Sequence, residues 1–453
     1  MFKKWFEHSR GLLILCVLGF LILGGFAYQS IFIARQDFYV AHHFQNLTEA
    51  LKNIAIFLSV AYGFLWFFLR RDRSLSARTV VIVALIGFGV LALIALATHP
   101  TRSQDIYWSL LLAKGFSYYG INPYQVDAGT FSEDAWAYPV LTWKDIPMIY
   151  GPIWTLFVAG VTTLASSLGG ALILVKLGYL LLLIALGFII WKILTEHGFT
   201  ARDRSDLFLL FAWNPFLIQA GLIDLHNDIF IMVAIAASYY FLLRKKYGLS
   251  ILVLFFGGLV KYSPLLLVVI PLFYWIKDEY HKPLRLLGGL LVTALIAVAM
   301  VLISYSFFGG LTLANFVGLS TQIDRIGLET EYLSGTAVIL KFFELSFKQL
   351  RLLGVVLAIS AIAWCIRRGL ALEAYVVPFL FILFFATPWF QPWYLLWIFP
   401  LILVAWPNPW FIVLTSASLL MPELVSPSIA SLLVLTGATV FFFWRFVFSP
   451  ADN

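Results

Sequence analysis

Asp105, in the stretch THPTRSQDIYWSLLLAKG (98–115), is a single carboxylate a few residues beyond an apolar run. After it, Ile106, Leu110, Ala113 and Phe116 recur at helical spacing, which predicts an amphipathic helix along a membrane interface. A carboxylate in its first turn could act as a general base on a hydroxyl. The plainer reading is an acid that complements the helix dipole, with Ser103 as the cap. The stretch GLIDLHNDIF (221–230) crowds Asp224, His226, Asn227 and Asp228 into a turn between two apolar runs. Ionisable groups at such depth are costly and mark a function or a solvated, helix-capping loop. Their spacing matches no standard zinc motif, and no metal is expected. Lys261, in GGLVKYSPLLL (257–267), splits an apolar stretch into halves too short to span comfortably. It is either a lysine snorkelling from a helix end or a cation in a cavity, where a phosphate would be its partner.

Aromatic residues gather in two further places. One runs from INPYQV, with Asn122 and Tyr124, to PMIYGPIW, with Tyr150 and Trp154. The other is TPWFQPWYLLW, with Trp389, Gln391, Trp393, Tyr394 and Trp397. Belts of Trp and Tyr at headgroup depth explain part of this pattern. Flat rings flanking an amide also suit a sugar, by stacking and by hydrogen bonding its hydroxyls. Asp324 and Arg325 read as a local ion pair.

The elements that must hold these residues are helices in a bilayer. Hydrophobic residues make up 62% of the chain and charged residues only 12%. That excludes an ordinary soluble, disordered or collagenous protein. Two cysteines, Cys16 and Cys365, both in apolar runs, offer neither a disulfide framework nor a metal site. Apolar runs at 11–34, 53–69, 79–98, 171–191, 207–223, 229–243, 249–260, 263–276, 286–305, 352–366, 374–388, 393–406, 410–422 and 429–447 give about 13–14 helices. The run 151–168 is the ambiguous one. If it dips without crossing and the N-terminus is cytoplasmic, about two-thirds of the loop Lys and Arg face the cytoplasm; if it crosses, the bias reverses. The positive-inside rule therefore predicts a re-entrant 151–168, both termini in the cytoplasm, and outer loops at 99–170 and 306–351. The net charge of +7 then belongs to loops facing anionic lipid, and no nucleic acid is expected as a partner. The expected organisation is an N-terminal helix pair (1–78), a catalytic module (79–285) and a C-terminal module (286–453).

Taken in order, these motifs resemble the GT-C superfamily of integral membrane glycosyltransferases. They are an outer Asp followed by an amphipathic helix ending in Gly-Ile-Asn-Pro-Tyr, Tyr-Gly-Pro-Ile-Trp, Asn-Pro-Phe-Leu with His-Asn-Asp, Lys-Tyr-Ser-Pro, and Gln-Pro-Trp-Tyr-Leu-Leu-Trp. The set is most similar to the polyprenyl-phosphate-mannose-dependent mannosyltransferases, over about 79–406, with 1–78 outside it. The resemblance implies an all-α, GT-C-like bundle in the cell membrane with its active site at the outer face. It implies an inverting transfer of a hexose, mannose by likeness, from a polyprenyl-phosphate donor to a glycan or glycolipid acceptor. Asp105 maps onto the catalytic base, Lys261 and His226 onto donor phosphate binding, and Asn227, Asp228, Tyr124, Tyr150, Gln391, Trp393 and Tyr394 onto substrate contacts. Many members carry two acids where Asp105 stands alone, so no metal or other cofactor is expected. A transporter or flippase for a lipid-linked or anionic solute is the alternative from another class, because broken helices with a buried cation occur there too. A lipid-linked oligosaccharide ligase or polymerase is a second.

Overall fold

The computed structural model describes residues 2–34, 44–140, 143–316, 347–382, 391–405, 415–416 and 418–419. Asp324, Arg325, Trp389 and most of the last two expected spans lie outside them. The described residues form helices and no strands. Six of the helices are long and apolar enough to cross a membrane: His8–Ile33, Glu49–Arg71, Ala77–Ala97, Leu168–Glu196, Ala201–Ile223 and Pro283–Ser306. The protein is an all-helical polytopic membrane protein.

In chain order the first helices are α1 (Phe2–Ala34), α2 (Phe44–Arg71), α3 (Ala77–Ala97), α4 (Asp105–Tyr119), α5 (Pro152–Leu164) and α6 (Leu168–Glu196). Hydroxyl caps set several starts. Ser76 accepts from the Thr79 N–H at α3, and Ser167 accepts from the Gly170 N–H at α6. Gly120, at φ +66°, ends α4 in the left-handed conformation that glycine adopts without strain. Next comes α7 (Ala201–Ala212), capped by Thr200 and broken at Trp213. Asn214 and Pro215 restart the chain as a short turn that becomes a π-helix over Ile218–Ile223. This broken span lies inside the bundle, with nearly all of its apolar residues buried. Trp213 fills the gap left by two glycines, because a Cβ at Gly19 or Gly87 would stand within 2.5 Å of its ring. By contrast the helix Pro283–Ser306 turns Leu284, Leu291, Leu295 and Leu302 outward, as lipid contact requires.

Downstream lie α8 (Asp228–Leu243), α9 (Tyr247–Gly258), a 3₁₀ turn at Ser263–Val268, α10 (Val269–Glu279) and α11 (Pro283–Ser306). Then follow α12 (Phe347–Arg367), α13 (Ala371–Phe381), a 3₁₀ turn at Pro392–Trp397, and α14 (Phe399–Ala405). The interruption expected around Lys261 is present: α9 ends at Gly258 and the next turn starts at Ser263. The run 151–168 becomes α5, whose 13 residues rise only about 20 Å, against roughly 30 Å of hydrocarbon core. It packs against α4 and α6, and the rings of Trp154, Tyr179 and Phe230 join α5, α6 and α8 with centroids 5.9–6.2 Å apart.

A backbone clasp brings Tyr150, just before α5, to the broken helix. Gly151 N–H donates to the Val260 carbonyl at 2.9 Å, and Ile153 N–H donates to that of Leu259 at 3.0 Å. A Cβ on Gly151 would stand 2.2 Å from the Leu259 oxygen, so the clasp closes only with glycine there. Gly151→Ala is expected to force this clasp apart at a cost on the order of 1–3 kcal/mol. The check is a lower thermal midpoint of the purified protein in detergent; an unchanged midpoint contradicts the close approach.

Candidate active site

The clasp places Tyr150 beside Lys261. Trp108 and Trp154 hold the tyrosine ring on edge-to-face contacts, at 5.8 and 6.3 Å. Its hydroxyl donates to Asp105 Oδ2 at 3.1 Å, while its face lies 5.3 Å from Lys261 Nζ. Asp105 opens α4, and its own N–H donates to Ser103 Oγ at 3.2 Å. The N-cap is Gln104 and has no side-chain cap bond, so Ser103 is not the cap expected from the sequence; it holds the Asp105 N–H from two residues before, and the carboxylate remains turned to Tyr150.

Lys261 Nζ lies 2.9 and 3.1 Å from the two carboxylate oxygens of Asp228, the first residue of α8. Asp228 Oδ1 also accepts the indole N–H of Trp397. The rings of Tyr394 and Trp397 stand 5.0 and 5.8 Å from the ammonium, so it sits among three aromatic faces. The 3₁₀ turn explains the pairing. At three residues per turn, Tyr394 and Trp397 fall on one side, whereas Trp393 points elsewhere. Trp393 instead stacks on His226, with centroids 3.8 Å apart and planes 15° from parallel.

Burial is the main force on the titrating groups. It raises the Asp105 carboxyl above the ordinary carboxylate range; Lys261 and the Tyr150 hydroxyl pull it back down, and Asp228 adds to the rise. Burial, then Asp105 and Asp228, hold Tyr150 well above the usual phenol range, so it stays a donor. Burial, then Lys261, lower His226 well below its usual value, so the imidazole is neutral. Asn227 is 4% exposed and its amide nitrogen has no hydrogen-bond partner among the described residues.

Asp105, Tyr150, Asp228, Lys261 and Tyr394, chosen from sequence, therefore converge, with His226 and Trp393 stacked as a pair on the same turn and 3₁₀ segment. Tyr124 sits behind the site: its hydroxyl bonds the Tyr150 carbonyl at 2.9 Å and Thr155 Oγ1 at 2.8 Å. Gln391 opens the 3₁₀ turn, and its carbonyl accepts from Tyr394 N–H at 3.0 Å. Sequence reasoning noticed Trp397 but gave it no role; its i, i+3 spacing from Tyr394 was the available signal. It also left Lys261 in want of an anion, which the chain itself supplies through Asp228.

Fold and site together define a polytopic helical membrane protein with an acid–base cluster held at helix breaks. Residues 11–277 match the MptA_B family, alpha-(1->6)-mannopyranosyltransferase, N-terminal domain. The chain belongs to this family and is a transmembrane mannosyltransferase. The match begins at residue 11, so the first two helices, which the motif resemblance left outside, are part of the family's N-terminal domain. No curated protein and no solved structure matches the chain.

The hydrogen bond from Tyr150 favours the ionised form of Asp105. Removing it raises that carboxyl further, so a reaction needing the ionised form loses activity starting at a higher pH. Tyr150→Phe is thus expected to move the acid limb of the pH–rate profile upward; an unmoved limb would separate Asp105 ionisation from turnover.

Proposed function

We propose that this mannosyltransferase takes mannose from a polyprenyl-phosphate donor and passes it, with inversion, to a hydroxyl of a glycan or glycolipid acceptor at the outer face of the cell membrane. One observation carries the reading: Tyr150 binds Asp105 with its hydroxyl and flanks Lys261 with its ring. A base and a cation are thereby held against the same tyrosine, one at its hydroxyl and one at its ring face.

In the reaction, the acceptor oxygen attacks C1 of mannose and its proton passes to Asp105. The C1–O bond to phosphate breaks, and its electron pair goes to the leaving polyprenyl phosphate. Negative charge leaves the carboxylate as it builds on the phosphate. A carboxyl raised by burial suits that role, because a base works best when its pKa approaches the working pH. Lys261, swung from Asp228 or shared with it, offsets the growing phosphate charge. His226 is neutral, so it offers the phosphate one N–H and no charge. Asn227, Gln391, Trp393 and Tyr394 meet the sugar, Asp228 and Tyr150 set the cation and base, and Tyr124 backs Tyr150. The cation is Lys261, and no metal or other cofactor is assigned a step.

Inversion at a β-linked donor would give an α product, in keeping with the α-(1→6) linkage in the family's description. The surplus of basic residues in the opposite loops supports the outer face for the site and the cytoplasm for both termini. The catalytic module is read as 79–285, with the helix pair 1–78 before it and 286–453 behind it. Membership in a transferase family weighs against a transporter.

Asp105→Asn is expected to lower turnover at least 100-fold, the usual scale for a lost general base, while donor binding stays within a few-fold. Lys261→Ala is expected to raise the donor KM roughly tenfold or more and leave the acceptor KM nearly unchanged. Release of free polyprenyl phosphate from labelled polyprenyl-phosphate mannose, measured with purified protein, reads both. Retained turnover in the first variant would remove Asp105 from its role, and equal loss for donor and acceptor in the second would remove the phosphate contact.

A further inference from the structure

Asp224 belongs to the same polar turn as His226 and Asp228, yet it takes no part in the cluster just described. It is 2% exposed. Its Oδ1 accepts from the Thr101 N–H at 2.9 Å, the Arg102 N–H at 3.0 Å and the Thr101 hydroxyl at 3.2 Å. Two successive backbone N–H groups converging on one carboxylate oxygen form a nest, an arrangement that favours an anion. Its Oδ2 accepts from Gln219 Nε2 at 2.8 Å, and Gln219 Oε1 accepts from Gln29 Nε2 of α1 at 2.8 Å. Gln219 lies in the π-helix, where the widened turn presents it to both neighbours.

A second buried charge holds the other side of the same strand of chain. Lys176 of α6 donates to the carbonyls of Ala95, at 2.7 Å, and Thr98. The last turn of α3 and the segment up to Arg102 are thus held by their carbonyls through Lys176 and by their N–H groups through Asp224. The two charges also attract each other. Three residues further on stands Asp105. That distance is at most about 10 Å of chain, so where the nest sits constrains where α4 begins.

We infer that Asp224, through the relay Gln29–Gln219–Asp224, is a positioning residue for the catalytic carboxylate and gives α1 a role in the reaction. The inference rests on Asp105 as the base. Asp224 touches no reacting atom; it fixes the loop from which Asp105 reaches Tyr150. The charged and titratable groups acting on Asp105 are Lys261, Asp228 and Tyr150, and Asp224 is not among them. Its effect on the base is therefore one of placement.

The test is Asp224→Asn. Asparagine keeps an oxygen for the nest but turns an NH₂ toward the Gln219 NH₂, and the relay breaks. Turnover is expected to fall roughly 10- to 100-fold, the scale of an ångström of misplacement, with the donor KM within threefold. The acid limb of the pH–rate profile moves upward as Asp105 parts from Tyr150, and hydrogen exchange quickens in peptides covering 99–104. Adding Gln219→Glu restores an acceptor opposite the new amide and keeps one for Gln29, so the double variant recovers to within about threefold. If the single variant folds poorly, Thr101→Val removes two contacts, the hydroxyl's bonds to Asp224 and from Gln219, and no charge, and is expected to shift turnover and acid limb in the same direction by less.

Unchanged turnover, an unmoved acid limb or unaltered exchange at 99–104 in Asp224→Asn would overturn the positioning role. So would a double variant no better than the single one. The base assignment fails separately, through retained turnover in Asp105→Asn, and in that event the exchange measurement still reports on the anchor.

Discussion

An aspartate buried at a helix break, and the part-buried lysine that pairs with it, are the constraint around which the site is built. Moving one such charge out of water costs several kcal/mol after relaxation, and the partner returns this only with good geometry and further hydrogen bonds. Lys261 and Asp228 meet both conditions. The carboxylate has both oxygens near the ammonium and also accepts the Trp397 indole N–H, while three aromatic rings face the cation. Removing either partner would strand the other. The helix start at Asp228, the broken run at Lys261 and the 3₁₀ turn bearing Tyr394 and Trp397 must therefore come together in one arrangement.

That arrangement then dictates the rest. The backbone clasp at Gly151 sets Tyr150 against Lys261, and Tyr150 reaches Asp105. Opposite charges stay close without touching, because a neutral phenol stands between them. Under the proposed reaction, this separation lets charge move from carboxylate to phosphate across a sugar while the surroundings remain fixed. Preorganised groups of this kind avoid reorganisation at the moment of reaction. The polar network at Asp224, Gln219 and Lys176 serves the same end from beneath, by holding the segment before α4.

Much of this was legible in the residues. The hydrophobic runs located the helices, because a bilayer tolerates few other solutions. The break at Lys261 and the short helix at 152–164 could be read because a lysine and a short run each violate the length a span needs. Asp105, Asp228, Tyr150 and Lys261 stood out as polar groups that such surroundings make costly. What the residues hid was pairing. The anion for Lys261 lies 33 positions away in the chain, at Asp228, and nothing in the local pattern joins them. The burial of Tyr124 behind Tyr150, the link from Gln29 to Gln219, and the reach of Trp397 to Asp228 are likewise contacts between distant elements. Periodicity assigns a residue to a face; it does not choose the neighbour on the other side. The family boundary differs for a related reason: α1 and α2 carry no chemical motif, yet α1 packs on the core through Gly19 and Gln29 and α2 through Tyr62.

The most direct measurement is an experimental structure of the protein with a non-transferable donor in which a phosphonate carbon replaces the bridging oxygen to mannose. The account predicts the phosphonate within hydrogen-bond reach of Lys261, the mannose against Trp393 and Tyr394, and the Asp105 carboxylate facing C1 from the opposite side. A phosphonate bound away from Lys261, or a sugar whose C1 presents its back to some other group, would contradict it.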